Sequence, residues 1–139
     1  YQILEDLLLK MEKLSDRKKI LLIDDEPELI KAVEIRLKST GYEVSVAYNG
    51  RAGIHEAKEI KPDLIILDLL MPIMDGYAVA NELKDDPETK HIPIIILTAS
   101  QREDLKTRCR ELGVTSFIMK PFETSDLLMM VKAILKEAS

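Results

Sequence analysis

A chain of 139 residues with 46% hydrophobic and 32% charged content is sized for one compact domain with its own core. Its formal net charge of −5 gives no electrostatic reason to expect a nucleic acid or an anionic membrane as partner. One cysteine, Cys109, excludes an internal disulfide framework and a Cys-rich zinc site, and no segment approaches the ~18 consecutive apolar residues of a membrane span.

The first nineteen residues stand apart. Leu4, Leu7, Met11 and Leu14 follow steps of three, four and three, a heptad-like seam that Leu8 broadens. Two heptads make a marginal helix in water, so this one needs a surface. Three readings stay open for 1–18: a helix packed on its own domain, a helix continuing an upstream linker, and a dimerising coiled coil. Glu5, Asp6, Lys10 and Glu12 break up the apolar residues, so the segment is not a signal peptide and a cytoplasmic home is the default.

From residue 19 onward, short apolar runs alternate with amphipathic stretches. "KILLI" (19–23), "EVSVA" (43–47), "DLIILD" (63–68), "PIIILT" (93–98) and "SFIM" (116–119) predict five strands. Several are almost unbroken Ile, Val and Leu, as in parallel strands covered on both faces. The first intervening helix carries Leu29, Ile30, Val33 and Leu37 on one stripe and closes at Gly41. The next stops before Pro62, the third before Pro87 and the fourth at Gly113; Thr124 or Ser125 is the expected N-cap of the last. Cys109 reads as a small packing residue of the fourth helix.

Five βα units imply right-handed crossovers and an open, doubly wound parallel sheet with helices on both faces. Sheets of this kind place their site at the carboxyl ends of the strands. Here those ends carry Asp24 and Asp25, Asp68, Thr98, and Lys120-Pro121. In a sheet ordered 2-1-3-4-5 the first and third strands are neighbours, which brings Asp24, Asp25 and Asp68 into one shallow pocket. Two carboxylates about 5 Å apart repel by roughly 3 kcal/mol at an effective dielectric near 20. Three of them raise a pKa or recruit a cation, and oxygen-only ligands on an open surface suit Mg²⁺, helped by the ammonium of Lys120. Any one of these aspartates taken alone is equally well a helix cap or a solvated residue.

In order and spacing, "LLIDDEPE", "DLIILDLLMPIMDG", "IPIIILTAS" and "SFIMKPF" resemble the receiver (response-regulator) domains of two-component signalling, over residues 19 to about 138. The resemblance implies a CheY-like, flavodoxin-like (βα)5 sheet of order 2-1-3-4-5, here preceded by an extra N-terminal helix, and a receiver domain at 19–139. It implies that Asp68 is the phosphoacceptor, that Asp25 and Asp68 bind Mg²⁺ directly, that Asp24 acts through water, and that the Leu70 backbone carbonyl completes the metal site. Thr98 is then the switch hydroxyl, Lys120 the cation on the phosphoryl group, and Phe117 the aromatic that changes rotamer; the Lys120-Pro121 bond is cis in the family.

The implied function is a phosphorylation-dependent switch that accepts its phosphoryl group from a histidine kinase or phosphotransfer protein, docking near Leu29 and Ile30. It is not an enzyme beyond catalysing its own phosphorylation and dephosphorylation. A homodimer through the N-terminal segment or through the fourth helix, fifth strand and fifth helix of the βα series is a further expectation. Pro72 reads as a rigid loop, and Leu70 and Ser100 flank the pocket. The alternatives are a phosphohydrolase, which would want a second Asp where Leu70 stands, and a degenerate receiver used only for docking or dimerisation, against which the complete acidic pocket argues. A flavin- or nucleotide-binding module would want a Gly-rich loop where "DDEPE" stands.

Overall fold

The computed structural model describes the chain apart from residues 72, 100–102, 115 and 138–139 and the side chains of 15 and 103–106. A helix, α1 (Gln2–Ser15), precedes five βα units. These are β1 (Lys19–Ile23) and α2 (Pro27–Ser39), β2 (Glu43–Ala47) and α3 (Gly50–Ile60), β3 (Leu64–Asp68) and α4 (Gly76–Asp85), β4 (Ile94–Thr98) and α5 (Glu103–Glu111), and β5 (Ser116–Met119) and α6 (Thr124–Leu135). All five expected strands form, with β3 and β4 each starting one residue later than their apolar runs.

The strands pair in parallel in the order β2-β1-β3-β4-β5. β3 and β4 are buried throughout and β1 from its second residue onward, whereas the edge strands β2 and β5 are mostly half-buried. Side chains of a strand alternate between faces, and each central strand therefore feeds two apolar layers. Leu21, Ile23, Ile65, Leu67, Ile94 and Ile96 pack with α3 and α4. Ile20, Leu22, Leu64, Ile66, Ile95 and Leu97 pack with α2 and α6.

Helix ends follow local chemistry. Gly41, at φ 103°, sits just beyond the α2 cap, donating to the Lys38 carbonyl while Tyr42 N–H reaches the Leu37 carbonyl. Gly113, at φ 80°, repeats the arrangement, with Val114 N–H donating to the Cys109 carbonyl. Both are Schellman closures that need a left-handed residue. Cys109 is buried, as its placement in the fourth predicted helix implies. The N-cap of α6 departs from expectation: Glu123 holds that position with no side-chain hydrogen bond, and Thr124 is already helical.

α1 narrows the three readings left open for its segment. Ile3, Leu4, Leu7, Leu8, Leu9, Met11 and Leu14 are between 51% and 86% exposed, so its apolar seam does not lie on its own domain. Among the described residues no helix is long and apolar enough to cross a membrane.

Ile66, at the centre of the sheet, is fully buried. Ile66→Ala is expected to lower the unfolding free energy by about 2–5 kcal/mol in urea titration, through lost burial and an unfilled cavity.

Candidate functional site

The register of the sheet assembles the site. Ile23 of β1 pairs with Leu67 of β3, so Asp24 and Asp68 come next, side by side, at the carboxyl end. Asp68 is itself the last residue of β3, beside Leu97 of β4. Thr98 ends β4 opposite Met119, and Lys120 N–H donates to the Thr98 carbonyl at 2.7 Å, which fixes where the lysine side chain starts. The bond that follows, Lys120-Pro121, is cis.

Asp24, Asp68 and Thr98 are buried and Asp25 is half-buried. One carboxylate oxygen from each of Asp24, Asp25 and Asp68 falls within a sphere of mutual distances no greater than 4.8 Å. Two unit charges at 4.8 Å repel by roughly 3 kcal/mol at an effective dielectric of 20. Glu26 N–H donates to Asp24 Oδ1 at 2.9 Å, and Leu70 N–H to Asp68 Oδ1 at 3.3 Å. The second oxygens, Asp24 Oδ2 and Asp68 Oδ2, are buried without a hydrogen bond. The Lys120 ammonium approaches both acids, at 3.7 Å from Asp24 Oδ2 and 3.4 Å from Asp68 Oδ1.

Burial, and then the charge of Asp24, push the Asp68 carboxyl up to about 6, against the pull of Lys120 and the Leu70 N–H. Burial raises Asp24 as well. Burial alone would depress the Lys120 ammonium, but its hydrogen bond to Glu26 and the charges of Asp24, Asp68 and Glu26 outweigh it and leave the pKa raised.

The residues fit a small divalent cation. Buried oxygens left without donors are what a cation satisfies, and the donor set is all oxygen. Opposite ligands of an octahedral Mg²⁺ stand about 4.2 Å apart, close to the present spread of 4.8 Å or less.

Of the sequence candidates, Asp24, Asp25, Asp68 and Lys120 converge on one pocket with Thr98 at the adjoining strand end. Phe117 lies deeper, paired with Ile96 and half-buried against the α3–α4 layer. The Leu70 side chain is exposed on the loop after Asp68. Pro72 and Ser100 lie outside the described residues. The expected contact at Leu29 and Ile30 needs correction. Ile30 is buried against the sheet and Leu29 half-buried, leaving Pro27, Glu28 and Lys31 as the exposed surface there.

Two features had no place in the sequence reading. Glu26 Oε1 is the nearest carboxylate to Lys120, at 2.7 Å, and its position directly after the Asp pair was the available signal. Ile73 adopts a left-handed backbone at φ 72°. For a β-branched residue this costs about 1–3 kcal/mol, and the residue type gives no hint of it. Gly76 closes the same loop, where a Cβ would come within 2.5 Å of the Asp68 carbonyl oxygen and 2.6 Å of the Leu69 Cα. Those are backbone atoms, so only glycine fits.

Residues 20–132 match the family described as the response regulator receiver domain. The chain is 37% identical over 118 residues to the DNA-binding dual master transcriptional regulator RpaA of Synechocystis, covering 85% of this chain and 49% of RpaA. It spans only 26% of the Caulobacter vibrioides response regulator PleD. Among solved structures, Vibrio cholerae chemotaxis protein CheY4 superposes with a TM-score of 0.81 at 30% identity, over 85% of this chain and 98% of that one. The receiver domain of the sensor histidine kinase PA1611 from Pseudomonas aeruginosa superposes with a TM-score of 0.79 at 27% identity, over 87% and 99% of the two chains. That structure holds a magnesium ion in its active site cleft.

The raised Asp68 carboxyl has a consequence for stability. Unfolded, the group loses its proton near the ordinary value of 3.8; folded, it keeps the proton up to about 6. The folded state therefore holds more protons in this window, and stability falls as pH rises through it. Asp68→Asn is expected to stabilise the metal-free protein at neutral pH, on the order of 2 kcal/mol. In calorimetry the gain should fade as the pH is lowered from about 6 toward 3.8.

Proposed function

We propose that this chain, which belongs to the response regulator receiver family, is a signalling switch set by a phosphoryl group on Asp68. The observation that carries the reading is the state of the Asp68 carboxylate. It is buried at a strand end, with Oδ1 aligned by Leu70 N–H and the Lys120 ammonium and with Oδ2 lacking a hydrogen bond. A carboxylate so fixed is a nucleophile of the aspartyl-phosphate kind.

The donor is the phosphohistidine of a kinase or phosphotransfer protein, or a small acyl phosphate. A carboxylate oxygen of Asp68 attacks phosphorus. The new P–O bond forms as the P–N bond to the imidazole breaks, and the bond pair stays on the ring nitrogen, with the ring left neutral once it takes up one proton. Asp25, Asp68 and the Leu70 backbone carbonyl would hold Mg²⁺ directly and Asp24 would hold it through water, and the ion would supply positive charge to the phosphoryl oxygens. Lys120 contributes the second cation and leaves Glu26 for the phosphoryl group. The Thr98 hydroxyl donates to a phosphoryl oxygen and moves inward, and Phe117 takes the space it vacates.

Those movements reshape the face formed by α5, β5 and α6, a population shift driven by one charge event. Met119 and Met129 are exposed on β5 and α6 and offer apolar contacts there. On this reading the chain acts in the cytoplasm, residues 19–139 form the receiver, and 1–18 are a separate helix. The exposed seam of α1 favours a second role, pairing with another copy, alongside a dimer through the α5–β5–α6 face. The only chemistry the chain catalyses is gain and loss of its own phosphoryl group.

Incubation with acetyl phosphate and Mg²⁺ followed by intact-mass measurement is expected to show one added phosphoryl group. The adduct should vanish in Asp68→Ala and on chelation of the metal. A wild-type chain labelled neither by acetyl phosphate nor by any phosphorylated kinase would remove the proposal.

A further inference from the structure

The loop between β3 and α4 holds a strained residue that the proposed chemistry does not use. Its base is closed by Gly76 N–H donating to the Leu69 carbonyl at 2.9 Å, and the Asp75 side chain accepts from Ala78 N–H at 2.9 Å to start α4. The chain reverses between these clamps, with Ile73 in the left-handed region at φ 72°. Glycine or asparagine would adopt that backbone with less strain. Burial does not compensate the isoleucine, because Ile73 is 107% exposed. Leu70, on the same loop and two residues past Asp68, is 62% exposed. Two large apolar side chains thus face solvent on the loop that follows Asp68.

Charge identifies what covers them. Asp24, Glu26 and Asp68 each lie within 4 Å of the Lys120 ammonium, Asp25 joins the same acid cluster, and a bound divalent cation would still leave negative charge in excess. An incoming phosphoryl group is itself an anion, so long-range attraction to this pocket cannot hold its carrier in place. Apolar contact at the rim can.

We propose that Ile73, with Leu70 beside it, is an apolar docking contact for the protein that presents the phosphorylated histidine, and that this contact is the reason an isoleucine occupies a strained, solvent-facing position. The inference rests on Asp68 being the phosphoacceptor. The matching surface on the donor is a shallow apolar recess next to its histidine, of the sort formed between neighbouring helices of a bundle. A small acyl phosphate reaches Asp68 without touching Ile73.

Ile73→Gly and Ile73→Asn separate strain from docking, because the two effects have opposite signs. Three quantities are compared with wild type: the thermal unfolding midpoint, the rate of labelling by acetyl phosphate with Mg²⁺, and the rate of transfer from a protein donor at sub-saturating concentration. The donor is taken from the source genome's histidine kinases and phosphotransfer proteins, each phosphorylated and presented singly, as the one that labels wild type fastest. Both variants are expected to unfold at the wild-type temperature or above and to label from acetyl phosphate at the wild-type rate. Transfer from the protein donor should slow by about tenfold or more, the loss of one apolar anchor. Unchanged transfer, a lowered midpoint, or a wild-type chain that labels from acetyl phosphate but from none of the protein donors overturns the docking role. A wild-type chain that labels from neither source overturns the Asp68 reading itself, and this inference with it.

Discussion

Two like charges are buried together at one end of a sheet, and most of the architecture answers to that arrangement. Asp24 and Asp68 lie where water cannot solvate them, and each keeps an oxygen without a donor. Left alone they would take up protons or force the strands apart. Lys120 prevents this from a third strand, and its own position depends on β5 being in register with β4. Four strands must therefore be correctly ordered before the pocket exists. The unbroken Ile and Leu of β1, β3 and β4 accordingly do more than stabilise the protein, since their packing sets the spacing of the acids.

The opposition between Glu26 and Asp68 for Lys120 shows how close to balance the pocket is. The ammonium sits 2.7 Å from the exposed Glu26 carboxylate and 3.4 Å from buried Asp68. Solvent weakens the first contact by screening, whereas burial strengthens the second for the same separation.

The sheet was legible because strands covered on both faces must be apolar at nearly every position, and few other structures tolerate such runs. The C-terminal glycines of α2 and α5 were legible because left-handed closure has one favoured residue. Site residues could be read as a set, since Asp68 and Thr98 end their strands and Asp24, Asp25 and Lys120 come just past the ends of theirs. Tertiary context governed the rest. The spacing of Ile30, Val33 and Leu37 that predicts α2 also turns Ile30 inward, so assigning Ile30 to a docking surface contradicts the helix's own pattern. No residue-type rule foresees isoleucine at a left-handed φ, because its cause lies in the closure of the loop at Leu69 and Gly76. Likewise the apolar seam of α1 predicts a helix but cannot say what it touches.

α1 enters β1 at Lys19, while the acids stand beyond Ile23, so the molecule has two poles separated by the length of its strands. Five residues at ~3.3 Å each put roughly 16 Å of close-packed sheet between them. Close-packed interiors deform little, and the sheet behaves as an insulator. Chemistry at one pole can be altered residue by residue without disturbing the helix at the other. The exposed helix and the acid pocket are thereby free to diverge independently, with the same apolar slab serving many pairings of the two.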